Sequence, residues 1–150
     1  MYPDPRVADY VTGRFVPVRV HVKDQRDEYT RLSAEYGVQW TPTTLILDEG
    51  EERHRIEGFL PADDFLSQLM LGTARAAFTR KDHANAERLY REVVTQFPNT
   101  EAAAEALYWA GVSKYRATND PAALKETARA FEDRYQSTSW AKKASVWRRE

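Results

Sequence analysis

A proline placed between a predicted helix and a predicted strand constrains this chain more than any other feature. A helical tail at 35–38 leads into Trp-Thr-Pro-Thr at 40–43, and the apolar, β-rich run 44–47 follows at once. Proline cannot donate a hydrogen bond to a β-ladder, so it is favoured where a strand begins. An acidic turn around Gly50 then separates this run from a second strand-like stretch at 53–59. The sequence predicts a helix, a proline corner and a β-hairpin, in that order.

This order of motifs closely resembles the C-terminal half of the thioredoxin fold. The resemblance rests on Tyr36-Gly37-Val38, on Thr41-Pro42-Thr43 and on a second strand that ends at Gly58, and it covers roughly residues 1 to 70. It implies that Pro42 is the cis-proline of that fold, the residue that lies beside the redox cysteines. In thioredoxin-like proteins the residue before this proline offers its backbone to an extended peptide. The resemblance therefore implies a peptide-binding site at Trp40, Thr41 and Pro42, whereas the alternative is that Pro42 only shapes the strand entry and Trp40 packs on the helical half.

The chain contains no cysteine. Thiol–disulfide exchange requires a thiolate, so the sequence predicts a redox-inactive chain without disulfides or thiolate metal sites. The three histidines, His21, His54 and His83, are not at metal-ligand spacing. There is no glycine-rich phosphate loop and no nucleophile elbow. We therefore predict no catalytic residue, no metal site and no cofactor.

Composition indicates an ordinary globular protein, with 42% hydrophobic and 30% charged residues. A net charge of −1 argues against nucleic acid as a partner. No apolar run reaches the 18 residues of a membrane span, and we expect a cytoplasmic protein with no membrane contact. Residues 1–72 hold 8 Lys and Arg against 13 Asp and Glu, while residues 73–150 hold 14 against 10. This difference in character predicts a domain boundary near Gly72, between domains 1–72 and 73–150.

The first domain is predicted to begin with a short helix entered at Pro5, followed by a strand and a second helix over 29–35. In the strand, Val16, Val18, Val20 and Val22 alternate with Pro17, Arg19 and His21, which is the pattern of an edge strand.

Compared with the thioredoxin fold, the first strand and helix are missing. In that fold the missing strand lies between the valine strand and the strand at 43–47, so both would keep unpaired backbone groups on that side. We expect that the chain starts late relative to a longer parent protein. The alternative is that another element fills the vacant position.

From Pro61 onward the sequence predicts only helices, and the helix that starts there keeps its apolar spacing past Gly72. The spacing of Ala74, Ala86, Tyr90 and Pro98 resembles a 34-residue tetratricopeptide repeat. A second self-similarity has a period of 38 residues and relates 97–109 to 135–147. The expected fold class is α/β plus all-α: an incomplete thioredoxin-like βαββα piece followed by an antiparallel array of tetratricopeptide-like helices.

Two groups of side chains on this array are candidate interaction surfaces. The first is aromatic and either forms the core between repeats or lines a concave peptide groove; it comprises Tyr108, Trp109, Tyr115, Trp140 and Trp147. The second is basic and either receives an acidic segment, from a partner or from the first domain, or is simply solvated; it comprises Arg75, Arg80, Lys81, Arg88 and Arg91.

The combination resembles thioredoxin-like co-chaperones that carry tetratricopeptide repeats behind their thioredoxin domain. That resemblance implies a non-catalytic module that binds peptide or protein clients. One alternative is the C-terminal part of a thiol–disulfide oxidoreductase whose cysteines lie upstream of Met1. Another is a scaffold that forms a homodimer through its open strand edge.

Overall fold

The computed structural model describes residues 2–149. Its elements, in chain order, are α1 (Pro5–Arg14), α2 (Arg26–Tyr36), β1 (Thr43–Asp48), β2 (Glu51–Glu57), α3 (Ala62–Thr79), α4 (His83–Gln96), α5 (Glu101–Thr118), α6 (Ala122–Asp133) and α7 (Ser139–Ala144), with a 3₁₀ turn at Ser145–Arg148. The chain divides into two compact units inside α3, between Leu66 and Ser67. The first unit is α/β and the second is all-α, which confirms the predicted fold class.

The predicted entry of α1 at Pro5 is confirmed, whereas α2 spans Arg26–Tyr36, begins before the predicted 29–35 and ends before Val38. The Asp4 carboxylate accepts a hydrogen bond from the Arg6 backbone N–H (2.9 Å), and Pro5 takes the first helical position of α1. Gly37 ends α2 in the left-handed conformation with φ 64°. The start of α1 and the end of α2 therefore depend on local interactions within a few neighbouring residues.

A two-stranded antiparallel hairpin is the only sheet that residues 2–149 form. Thr43 lies opposite Glu57 and Ile46 opposite His54, with a bulge between Ile46 and Leu47. Ile46 is buried on one face of the hairpin. Since no further strand is present in this part of the chain, the outer edge of β1 has no β partner.

The predicted edge strand at Val16–Val22 is wrong. Residues 15–21 form neither helix nor strand, and a turn follows at 22–25, where the backbone N–H of Gln25 donates to the His21 carbonyl oxygen. Val16 is 92% exposed and Val18 is 82% exposed. A strand requires both a pairing partner and a face to bury, and the alternating pattern supplies neither by itself. The physical reason is the missing neighbour, because no strand lies beside β1 to receive this segment.

In the second unit, helices that are adjacent in sequence pack on each other: α4 on α5, α5 on α6 and α6 on α7. The residues expected to allow close helix approach are completely buried, with Ala74 and Ala86 at 0% and Tyr90 at 1% exposure. α3 runs through Gly72 without a break, as the apolar spacing predicted. These features agree with a tetratricopeptide-like array.

The 38-residue self-similarity corresponds to two equivalent helix starts. The Thr100 hydroxyl donates to the Phe97 carbonyl oxygen over 2.8 Å, and the Thr138 hydroxyl donates to the Tyr135 carbonyl oxygen over 2.6 Å. Both threonines are the residues that precede a helix, α5 in one case and α7 in the other. The Tyr135 hydroxyl also donates to the Pro98 carbonyl oxygen (2.6 Å), so the two turns are joined by a hydrogen bond.

Gly111 lets α5 and α6 approach each other closely, because it has no side chain. A Cβ atom at this position would lie 1.9 Å from Oγ1 of Thr127. Thr127 is itself fixed, because its hydroxyl donates to the Ala123 carbonyl oxygen within α6 (2.8 Å). The two helices can keep this separation only while residue 111 is glycine.

We expect Gly111→Ala to lower the free energy of unfolding by about 1–3 kcal/mol, the usual cost of overpacking. Gly13→Ala in α1 is the matched control: its Cβ would meet nothing within 4 Å, and the helix propensity of alanine should make it neutral or stabilising. Denaturant unfolding followed by circular dichroism measures both. The double variant Gly111→Ala/Thr127→Ala should recover part of the loss, and a Gly111→Ala protein as stable as wild type would contradict the close contact.

Candidate functional site: an exposed proline corner

The corner between α2 and β1 presents the predicted site residues to solvent. Trp40 is 67% exposed, and Thr41 and Pro42 are exposed beside it. The Thr41–Pro42 peptide bond is cis. The Thr43 hydroxyl donates to the Trp40 carbonyl oxygen over 2.6 Å, which closes the turn. The structure therefore brings the three predicted residues together on one accessible surface.

Hydrogen bonds on both sides hold the corner in place. The backbone N–H of Gly58 donates to the Pro42 carbonyl oxygen (2.7 Å), so the corner is joined to the end of β2. The Arg55 guanidinium donates to the carbonyl oxygens of Gly37 (3.2 Å) and Tyr36, at the end of α2. Residues in and directly after β2 thus bond both the end of α2, before the corner, and Pro42, within it.

Sequence reasoning missed Arg55. Its guanidinium also donates to the carboxylates of Glu52 (2.6 Å) and Glu57 (3.3 Å), and its side chain is only 23% exposed. The available signal was a basic residue in the middle of a strand with acidic residues near it on both sides. That pattern is common on solvated strands, and it does not show which carbonyl groups the guanidinium will reach.

The aromatic residues of the array form a half-buried cluster centred on Tyr108. Its ring centroid lies 4.9 Å from that of Trp147, 5.3 Å from Trp140 and 5.5 Å from Trp109. Trp109 continues the cluster, with a ring 5.4 Å from that of Phe78. These separations are those of favourable aromatic pairs.

The cluster accordingly packs mostly against itself, while each of the four central rings keeps some exposed area. The ammonium of Lys143 lies 4.0 Å from the ring centroid of Trp140, a cation–π contact that the sequence did not indicate. Tyr115 is half-buried on α5 and has no ring contact among the residues that the structure describes. It is therefore set apart from the aromatic cluster with which it was grouped.

The basic group is largely neutralised within the second unit. Arg75 pairs with Glu105 (3.1 Å), Arg88 with Glu92 (2.7 Å) and Arg91 with Glu87 (3.1 Å). Arg88 and Arg91 line a shallow surface depression along α4 together with Glu87 and Glu92. The helices thus present alternating charges instead of a continuous basic face.

The Arg75–Glu105 pair differs from the others because it is partly buried. Burial raises the pKa of Glu105, and the nearby Arg75 opposes this shift without cancelling it. Burial also raises the pKa of Tyr90, which lies beside Arg75, to about 12. A carboxylate held in this environment is harder to ionise than one in water.

We expect Glu105 to make the stability of the protein depend on pH. The folded state binds the Glu105 proton more tightly than the unfolded state, so stability falls as pH rises from 4.5, the ordinary value, through the raised pKa. Glu105→Gln removes this titration. The stability of the variant relative to the wild type should therefore increase as pH rises across that interval. Thermal unfolding as a function of pH measures the difference.

Glu126→Gln is the matched control, because Glu126 forms an exposed pair with Lys114 (2.9 Å). Its pH dependence should follow that of the wild type. Parallel pH profiles for Glu105→Gln and wild type would contradict the role assigned to burial.

Each histidine has different surroundings in the structure. The His21 ring nitrogen faces Asp24 (3.2 Å), His54 is buried on β2, and His83 contacts Phe78 edge-on, with 4.9 Å between ring centroids. Within residues 2–149, no cluster of three or more His, Asp or Glu side chains is arranged to hold a metal ion. The helices of the same residues include none of the length and apolar character needed to cross a membrane.

Comparison with known families agrees with this architecture. Residues 1–72 match the family model of a thioredoxin-like domain, and residues 68–100 match that of a tetratricopeptide repeat. The chain thus carries a thioredoxin-like domain followed by a tetratricopeptide repeat. No curated protein and no solved structure gives a significant match.

Proposed function

We propose that this chain is a protein-interaction module that binds extended peptide or protein clients in the manner of a co-chaperone, by contact and not by catalysis. The observation that carries the proposal is the exposed Trp40 beside a fixed proline corner, next to a strand edge without a partner. A client segment would lie along Thr41 and continue onto β1.

We place this role in the cytoplasm, and we retain a boundary near Gly72 between the two domains.

Physical arguments favour an extended peptide as the ligand. An exposed strand edge offers backbone hydrogen bonds in a fixed direction, and adding one strand is a recurring mode of peptide recognition. The 67% exposed indole of Trp40 adds an apolar surface at one end of that edge. Tryptophan is enriched among the residues that dominate binding energy at interfaces.

The helical array supplies a second contact surface in this proposal. The Tyr108 cluster leaves parts of several aromatic rings accessible, and the charges of Arg88 and Arg91 lie on α4 with their glutamate partners. Protein interfaces combine aromatic side chains with polar groups, and the array offers both kinds of surface. The tetratricopeptide repeat is in general a protein-interaction element, which supports this assignment.

A chain without cysteine cannot act as the nucleophile of thiol exchange. In the proposed role, the corner therefore binds a client segment without thiol chemistry by this chain. This distinguishes the proposal from the oxidoreductase alternative, which requires cysteines encoded upstream of Met1.

We expect Trp40→Ala and Thr41→Pro each to weaken client binding by about tenfold or more, because one removes the exposed indole and the other a backbone donor. Fluorescence anisotropy with a labelled extended apolar peptide, and competition by an alkylated unfolded protein, measure the affinity. Since Trp40 is mostly exposed, Trp40→Ala should leave the fold unchanged.

Arg129→Ala is the control, because Arg129 is exposed on α6 and belongs to neither of the two proposed contact surfaces. It should bind like the wild type. Absence of binding at tens of micromolar peptide, or equal affinities for wild type, Trp40→Ala and Thr41→Pro, would refute the proposal.

A further inference from the structure

We propose that two copies of this chain pair by exchanging strands, with residues 16–20 of each copy adding to the outer edge of β1 in the other. This goes beyond the proposed client-binding role, because it names a second copy of the chain as a partner of the strand edge. It does not depend on whether clients bind at Trp40.

The register of the hairpin shows which groups the open edge offers. The Gly58 N–H bonds the Pro42 carbonyl oxygen, so Pro42 and Gly58 form a hydrogen-bonded pair. Such pairs alternate with non-bonded ones along an antiparallel ladder, which makes Thr43–Glu57 and Leu45–Arg55 non-bonded pairs. The backbone N–H and C=O groups of Thr43 and Leu45 therefore point away from β2, toward the open edge.

Residues 16–20, the donor segment, have free backbone groups and exposed apolar side chains that could pair with this edge. Residues 16–20 carry no regular structure, and their backbone groups make no hydrogen bond to another backbone group of residues 2–149. Val16 (92% exposed) and Val18 (82% exposed) lack a surface to pack on. β-Branched residues in alternation favour the extended conformation that strand addition needs.

Pro17 determines which edge of the extended segment can pair with β1, because the backbone groups of alternate residues point to opposite edges. Because proline has no N–H, the edge toward which the backbone groups of Pro17 and Arg19 point offers fewer hydrogen-bond donors. Val16, Val18 and Val20 alternate with it, so their N–H and C=O groups are the ones available for pairing with Thr43 and Leu45. Pro17 then lies at the new outer edge, where it hinders addition of a further strand.

A second copy of the chain is a better partner for the open edge than an unrelated strand, because each copy carries both the edge of β1 and the segment 16–20 that can pair with it. The donor has five residues and β1 has six, so the lengths match. If copy one gives residues 16–20 to copy two, symmetry allows copy two to return the same segment. The exchange is then isologous and closes at two copies.

Cysteine crosslinking tests the contact directly, since the chain has no cysteine of its own. Val18→Cys and Leu45→Cys proteins are mixed, oxidised and separated without reductant. We expect a crosslinked dimer in this mixture at a yield several-fold above that from Val18→Cys mixed with Arg129→Cys, which places the second thiol at an exposed position of α6. Equal yields in the two mixtures would overturn the proposal.

Sedimentation equilibrium provides an independent measurement. The wild type should approach twice its 17.3 kDa mass as concentration rises, whereas Val16→Lys/Val18→Lys should remain a monomer with an unchanged circular dichroism spectrum. Arg19→Ser is the matched control and should still dimerise. A wild type that stays monomeric at high concentration, or a double-lysine variant that dimerises normally, would overturn the proposal.

The two proposals fail separately. A monomeric wild type that binds the labelled peptide at Trp40 would assign the strand edge to a client strand, which overturns the exchange and supports the client-binding role. A dimer that crosslinks between positions 18 and 45 but binds no peptide supports the exchange and refutes client binding.

Discussion

The contact of Arg55 with the end of α2 is the interaction on which the candidate site depends. Its guanidinium reaches the carbonyl groups of Tyr36 and Gly37, which no longer have partners within the helix. The same side chain is held by Glu52 and Glu57 on its own strand. These hydrogen bonds hold the corner at 40–42 in one conformation with Trp40 exposed. A site held in this way loses less conformational entropy when a ligand binds.

The second unit is built on a different principle, close packing of small side chains. Its fully buried positions include Ala74, Ala86, Ala103 and Ala106, and Gly111 allows contact with Thr127. Small residues bring the helix backbones together, and the larger Tyr90 and Phe131 fill the remaining space. The aromatic rings of Trp109, Trp140 and Trp147 gather around Tyr108, where they keep some exposed area.

Most of the fold could be predicted because its signals are local. The Asp4 cap, the left-handed Gly37, the proline corner and the Thr100 and Thr138 helix starts each depend on a few neighbouring residues. The valine segment could not be assigned, because alternation records a preference for extended backbone and says nothing about whether a partner strand exists. Likewise the Arg75–Glu105 pair joins residues thirty positions apart, which residue spacing alone does not reveal.

The spacing of Thr100 and Thr138 has a consequence for how such an array can change in length. Thirty-eight residues separate the two threonines, four more than in a 34-residue repeat, and four residues amount to about one turn of α-helix. An insertion of that size lengthens a helical hairpin while keeping nearly the same side chains facing inward. Evolution can thus extend one unit of the array by whole turns without redesigning its core.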